Sequence, residues 1–162
     1  MKAAAIQDIK EELSHLSAKQ LSVLCLKLAK FKKDNKEFLS YLLFEEKDLT
    51  GYINAVKDEV DLLFSEINSS HVYYAKKTLR KILRITTRHI RYTASPQAEA
   101  TLLIYFCEKM QGLNLPMERN TVLFNLYQSQ LKKIKSAIAG FHEDLRYDYE
   151  KELKLLESTS RS

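Results

Sequence analysis

The stretch SHVYYAKKTLRKILRITTRHIRY, residues 70–92, has the pattern of one amphipathic helix with two chemically opposite faces. At about 100° per residue, its apolar side chains fall in one broad sector, and its lysines and arginines fall on the other side. We therefore predict a helix that packs its apolar side inward and presents cations to solvent. The apolar sector contains Val72, Ala75, Leu79, Ile82, Leu83, Thr86 and Ile90.

The positive charge of the chain is concentrated in this segment. Residues 70–92 contain seven Lys or Arg and no Asp or Glu, whereas residues 1–69 contain ten basic and twelve acidic residues. Residues 93–162 contain nine of each. The segment therefore accounts for the whole net charge of +5, because the part before it carries −2 and the part after it is neutral.

The composition favours helices throughout. The chain has 162 residues, of which 45% are hydrophobic, and it contains three glycines and two prolines. Few turn formers and abundant Leu, Lys and Glu are typical of helical proteins, and no segment has the alternation of a strand. We predict one helical domain over residues 1–157, followed by a disordered tail at 158–162 that lacks an apolar anchor.

Capping signals divide the rest of the chain into helices. Each is a short polar side chain at the start of an apolar stripe, where its oxygen accepts a hydrogen bond from a free backbone N–H. The strongest is Ser95 followed by Pro96, because proline suits the first helical position. The other predicted starts are Ser17 with Gln20, Asp34 with Glu37, Asp48, and the group Asn68, Ser69 and Ser70 for the basic helix.

The predicted fold is all-α, with six to eight helices arranged as stacked antiparallel hairpins. The helix over 96–111 is apolar around most of its circumference, so it is placed at the centre, with the helices over 48–67 and 70–92 against it. A short α-α superhelix is the alternative arrangement. This alternative is based on a weak internal sequence similarity between LSYLLFE at 39–45 and LLIYFCE at 102–108.

Two interpretations apply to the C-terminal stripe, which has apolar residues at spacings of three or four from Tyr127 to Leu156. It either pairs with a second copy or another protein's helix, giving a homo-oligomer, or packs on this chain's own core. A single helix of this length, about 57 Å from Asn120 onward, would exceed the width of a domain of this size. We therefore predict a break at residues 139–141, around Gly140.

The outer side of the helix over 70–92 is the candidate binding site. A row of cations over several turns can follow a nucleic-acid backbone, and an aromatic ring among them can stack on a base. The alternative is a solvated face, or one neutralised by Asp58, Glu59, Asp61 and Glu66 of the preceding helix. We call this site the basic face; it consists of Tyr73, Lys77, Arg80, Lys81, Arg84, Arg88 and Arg91.

Motifs for catalysis or metal binding are weak. Glu12 and His15 have the Glu-x-x-His spacing of a di-iron ligand pair, but the other three histidines lack a matching glutamate, so we predict no metal site. Cys25 and Cys107 lie in apolar runs and are predicted to be buried, reduced thiols. No phosphate-binding loop, nucleophile elbow or dinucleotide fingerprint is present, so we predict no catalytic residue and no cofactor.

The sequence thus predicts a non-catalytic binding or scaffold module that uses the basic face. Its partner is a protein or another acidic surface; the alternative is the backbone of RNA or DNA. The reduced cysteines and the absence of a secretory leader after Met1 predict a cytoplasmic protein. The longest apolar run, residues 102–107, is far shorter than the roughly 20 residues that span a bilayer, so no membrane association is predicted.

Overall fold

The computed structural model describes residues 1–159, which form α-helices joined by turns and contain no strand. The all-α prediction with six to eight helices is confirmed. A five-residue π-helical segment, Tyr41–Glu45, follows the third helix. The eight helices are α1 (Ile6–Ser14), α2 (Ala18–Phe31), α3 (Lys33–Ser40), α4 (Leu49–Ser65), α5 (Val72–Thr93), α6 (Pro96–Gly112), α7 (Thr121–Ile138) and α8 (Glu143–Thr159).

The chain divides into two compact units. The N-terminal unit covers Met1–Phe44 and contains α1 to α3, and the C-terminal unit begins at Glu45 and contains α4 to α8. A single domain over residues 1–157 stays a prediction. Helix α8 continues to Thr159 and so includes the start of the segment 158–162 that was expected to be disordered, whereas residues 160–162 lie outside the described part.

Helix α6 is the centre of the C-terminal unit, as its apolar circumference predicted. It packs against α4, α5, α7 and α8, and its side chains are buried on nearly every side. One contact that joins α4 to α6 is an edge-to-face pair between Phe64 and Phe106, whose ring centroids lie 5.6 Å apart. The buried residues of α6 are Ala98, Ala100, Leu102, Leu103, Ile104, Phe106, Cys107 and Met110.

Three predicted helix starts are confirmed. Ser17 and Gln20 form a reciprocal capping box, Asp48 accepts a hydrogen bond from the Gly51 backbone, and Ser95 accepts one from Ala98. The Asp34 cap and the cap expected from Asn68, Ser69 and Ser70 were wrong. Helix α3 begins earlier, after Lys32, and α5 begins later, after His71, and neither has a side-chain cap.

The break between α7 and α8 is confirmed, because α7 ends at Ile138 and α8 begins at Glu143. The two helices pack on each other and on α6. Much of the C-terminal stripe therefore lies inside this chain's own core, including Tyr127, Ile134 and Leu156. A homo-oligomer through the C-terminal helix stays a prediction, and it would need side chains other than these buried ones.

The two cysteines have different environments. Cys107 is buried in α6, and this burial raises the pKa of its thiol to about 12. Cys25 is exposed on α2, so the prediction of a buried thiol was wrong there. The reason is that α2 is apolar on more than one side but contacts mainly α3.

Among the residues described, every helix is too short or too polar to cross a lipid bilayer.

Candidate anion-binding face of helix α5

Helix α5 buries one side against α4 and α6. The buried residues are Ala75, Leu79, Ile82, Thr86 and Ile90, and Val72 and Leu83 at the margin are half-buried. The Thr86 hydroxyl donates to the Ile82 carbonyl at 2.9 Å, so the one polar side chain in this row is satisfied within its own helix. The apolar sector predicted from the spacing is therefore the side that holds α5 in the core.

The opposite side of α5 presents the basic face. Tyr73, which is 69% exposed, begins it, and most of its cations are exposed too. The exception is Arg88, which is half-buried. From Lys77 to Arg91 the cations extend about 21 Å along the helix, within an arc of roughly 100°. The exposed cations are Lys77, Arg80, Lys81, Arg84 and Arg91.

The five exposed cations have no counter-charge among the residues that the structure describes. Within residues 1–159, none of them has a carboxylate oxygen within the 4.0 Å of an ion pair. Lys77, Arg80, Lys81 and Arg84 repel one another, since each has two others of this group three or four residues away. The row therefore produces a positive potential that an external anion would relieve.

The acidic residues of α4 that were considered as internal partners are partly engaged elsewhere. Asp61 accepts hydrogen bonds from Lys109 at 2.7 Å and from the Tyr105 hydroxyl at 2.6 Å, both on α6. The hydrogen bond from Lys109, and then that from Tyr105, hold the pKa of Asp61 below its ordinary value of 3.8. The same contact with Asp61 raises the pKa of Lys109. Asp61 therefore links α4 to α6 instead of neutralising α5.

Glu59 does reach α5, but at a histidine. Its carboxylate lies 3.1 Å from Nε2 of His89, and Nδ1 of the same ring lies 2.7 Å from the Tyr52 hydroxyl. When Tyr52 donates to Nδ1, Nε2 carries the ring hydrogen and faces the carboxylate. The Tyr52 and His89 rings also meet edge to face, with centroids 5.8 Å apart. This polar contact holds α5 against α4 on the side away from the exposed cations.

Aromatic side chains cluster at the first turn of α5. Tyr73 and Tyr74 are 69% and 60% exposed, and their rings meet edge to face at 5.4 Å. His71 packs against Tyr74 at 6.0 Å between ring centroids. Sequence reasoning named Tyr73 and missed Tyr74, although two adjacent tyrosines at the start of a polar face were the available signal. The cluster places exposed π surfaces at one end of the cation row.

Glu12 and His15, whose spacing was considered for a metal site, do not belong to a cluster of potential ligands in residues 1–159. In the part of the chain that the structure describes, no three or more His, Cys, Asp or Glu side chains come together as metal ligands. His15 is exposed and belongs to the N-terminal unit, whereas His89 belongs to the C-terminal unit. Searches of protein-family models, curated proteins and solved structures found no match to this chain.

Proposed function

We propose that this protein is a non-catalytic binding module whose recognition surface is the basic face of α5, and that its partner is a polyanion. The observation that carries the proposal is the row of five exposed cations without a carboxylate partner in residues 1–159. A rigid, well-anchored helix presents these charges at fixed spacing, which reduces the entropy lost when an extended anion binds.

Arginine makes up three of the five exposed cations, namely Arg80, Arg84 and Arg91. A guanidinium donates through a planar fork that matches a phosphate or carboxylate with two parallel hydrogen bonds. Several such groups in a row favour a partner that repeats its negative charge along its length. An acidic segment of another protein and the backbone of a nucleic acid both meet this requirement.

Nucleic acid is the second, narrower candidate, and the exposed pair Tyr73 and Tyr74 favours it. A base that leaves the stack of a single strand can lie on a tyrosine ring, which contributes about 1–3 kcal/mol per base. Carboxylates of an acidic peptide gain little from an aromatic surface. The tyrosines are therefore expected to contribute to binding of nucleic acid but not of an acidic peptide. The arginines are expected to contribute to binding of either partner.

The test measures fluorescence anisotropy of labelled single-stranded RNA, duplex DNA and poly-glutamate with the full chain over a salt series. A polyanion that neutralises about five cations should lose affinity with a log–log slope near −3.5 for a single strand. Changing Arg80 and Arg84 to Glu should weaken binding at least about tenfold and flatten the slope. Failure of all three probes to bind at low salt would overturn the proposal.

The matched control changes Lys132 and Lys133 to Glu. These lysines are exposed on α7, so the variant has the same altered net charge with the basic face intact. Equal losses in both variants would mean that only overall charge matters, which contradicts a defined face. Changing Tyr73 and Tyr74 to Ser should weaken RNA binding and spare poly-glutamate binding if nucleic acid is the partner.

A further inference from the structure

Helix α1 is an amphipathic helix whose apolar side is only partly covered by the residues that the structure describes. Ile6 and Ile9 are 81% and 42% exposed, and α1 makes few contacts with α2 or α3, which pack on each other. A nine-residue helix is too short to be stable alone in water, where about 12–15 residues are needed even for good helix formers. Its apolar stripe therefore indicates a docking partner.

The N-terminal unit as a whole also exposes apolar surface that a partner would cover. None of residues 1–40 is buried, and Tyr41 is the first buried side chain along the chain. Large apolar side chains of α2 and of the π-helical segment remain in solvent, among them Leu26, which is 55% exposed, and Leu43, which is 64% exposed. A hairpin of two helices cannot bury the apolar side chains on both of its faces. Another polypeptide segment is therefore needed to cover one of these faces.

Helices α2 and α3, together with the start of the π-helical segment, form a groove with an apolar floor and a cationic rim. The floor contains Leu26, Ala29, Leu39 and Leu43, the rim includes Lys30 and Lys36, and the groove encloses about 550 Å³. Within residues 1–159, neither Lys30 nor Lys36 is in an ion pair. We call this surface the lysine groove. Its chemistry matches an amphipathic helix that carries acidic side chains.

Charge identifies α1 as such a helix. It contains Asp8, Glu11 and Glu12 against the single Lys10, so its net charge is −2, whereas residues 18–40 contain six lysines and two acidic residues, a net charge of +4. Two copies of the hairpin would repel each other if they met face to face. A hairpin and an α1 helix attract each other, and both present apolar surface for the contact.

The connection between α1 and α2 favours docking on a second copy. Only His15, Leu16 and Ser17 join the two helices, and the Ser17 capping box holds the chain extended where α2 begins, with ψ of 161°. This short, ordered junction leaves α1 away from α2 and α3 of its own chain. Short junctions of this kind are a common cause of exchange of an element between protomers.

We propose that α1 of one copy lies in the lysine groove of a second copy, and that the exchange is reciprocal. The resulting dimer has a twofold axis, since each copy supplies one helix and one groove. Ile6 and Ile9 then contact the apolar floor, and Glu12, which lies beside this apolar stripe, is the carboxylate nearest to the lysine rim. Glu11 lies on the opposite side of the helix and contributes to its net negative charge. This interface lies in the N-terminal unit and does not involve the basic face.

Charge reversal in the full chain tests this arrangement. One variant changes Glu11 and Glu12 to Lys, and the other changes Lys30 and Lys36 to Glu; all four positions are exposed, so the fold should persist. Each variant alone should dissociate at least about tenfold more readily than the unmodified dimer, as measured by sedimentation velocity over a concentration series. A one-to-one mixture should form a heterodimer, because each helix then meets a groove of opposite charge.

The control changes Lys132 and Lys133 to Glu, which lowers the net charge by the same amount as the groove variant and should leave the dimer unchanged. Circular dichroism establishes that every variant is folded. A monomeric unmodified chain at all concentrations would overturn the proposal, as would a mixture that stays monomeric. Single variants that still dimerise with unchanged affinity would assign the contact to another surface.

Discussion

Ala94 ends helix α5 in a conformation that suits glycine better than alanine. Its φ of 48° and ψ of 24° lie in the left-handed region, where a Cβ crowds the backbone. Changing Ala94 to Gly should therefore raise the free energy of unfolding by about 0.5–1 kcal/mol, despite the greater freedom of glycine in the unfolded chain. Urea denaturation followed by circular dichroism measures this change.

Ala139 provides the opposite control for this prediction. It ends α7 with φ of −58°, in the right-handed region that alanine adopts without strain. Changing Ala139 to Gly should lower stability, because only the unfolded chain gains freedom. If the two substitutions shift stability in the same direction, backbone strain at Ala94 is not the cause.

The contact of Asp61 with Lys109 and Tyr105 should make stability depend on pH. Because the pKa of Asp61 in the folded protein is below its ordinary value of 3.8, the contact stabilises the fold above that pH. The stabilisation is lost as the pH falls through the folded-state pKa. Changing Asp61 to Asn should cost roughly 1 kcal/mol or less at pH 7, since the pair is partly exposed, and progressively less below pH of about 4.

Asp58 is the matched control on the same helix. It is exposed and forms no ion pair within residues 1–159, so changing Asp58 to Asn should alter stability by only a few tenths of a kcal/mol at either pH. Thermal unfolding of both variants between pH 3 and 7 makes the comparison. A loss of stability in the Asp61→Asn variant that stays constant over this range would contradict the role of the carboxylate charge.

At the scale of the element, helix starts differ in how their free N–H groups are satisfied. Ser95 accepts a hydrogen bond from Ala98 at 3.2 Å and begins the central helix α6. Ser70 lies before α5 but bonds to Asn68, and does not cap the helix. Changing Ser95 to Ala should therefore cost about 1 kcal/mol in urea denaturation, whereas the same change at Ser70 should stay within about 0.5 kcal/mol. Equal losses would show that the caps have been assigned wrongly.

The amphipathic helices α1 and α5 share a pattern but differ in what covers their apolar side. The apolar sector of α5 lies against α4 and α6, so the helix that carries the cations is anchored in the core. No residue of α1 is buried, so the same kind of pattern there leaves an apolar surface in solvent. Hydrophobic periodicity indicates that a helix has a face to bury, but the identity of the covering element depends on the rest of the fold.

At the scale of the whole molecule, Tyr127 joins three helices of the C-terminal unit. Its hydroxyl donates to the Leu156 carbonyl of α8 at 3.0 Å and accepts from the Gln111 amide of α6. Burial raises the pKa of this phenol, so it stays protonated and keeps its donor. Changing Tyr127 to Phe should lower the free energy of unfolding by roughly 1–3 kcal/mol, because buried polar groups lose their partner.

The control for Tyr127 is Tyr147, whose side chain is 59% exposed and whose ring lies 4.5 Å from the Lys151 ammonium. Phenylalanine keeps that ring contact, so changing Tyr147 to Phe should leave stability nearly unchanged. Chemical denaturation monitored by circular dichroism compares the two variants. A tyrosine-to-phenylalanine change that costs nothing at position 127 would exclude a stabilising role for the three-helix contact.

Much of this architecture follows from local chemistry that one sequence carries. The period of apolar residues predicted the buried side of α5, Ser95 with Pro96 predicted the start of α6, and Gly140 marked the break before α8. These features depend on residues a few positions apart, within the range of backbone hydrogen bonds and caps. For the same reason, helical spacing alone predicted that the seven residues of the basic face lie on one side of α5.

Contacts between distant residues depend on how the helices pack. Cys25 and Cys107 lie in similar apolar runs, yet only Cys107 is covered, because α6 has neighbours on every side and α2 does not. Asp61 was one of the acidic residues considered as partners of the basic helix, but packing brings it to Lys109, 48 positions along the chain. The sequence by itself determined which side of each helix is apolar or charged, since side-chain direction repeats with the helical turn. Only the tertiary structure decided which of those sides meet, because partner choice depends on the combined shape and charge of several helices.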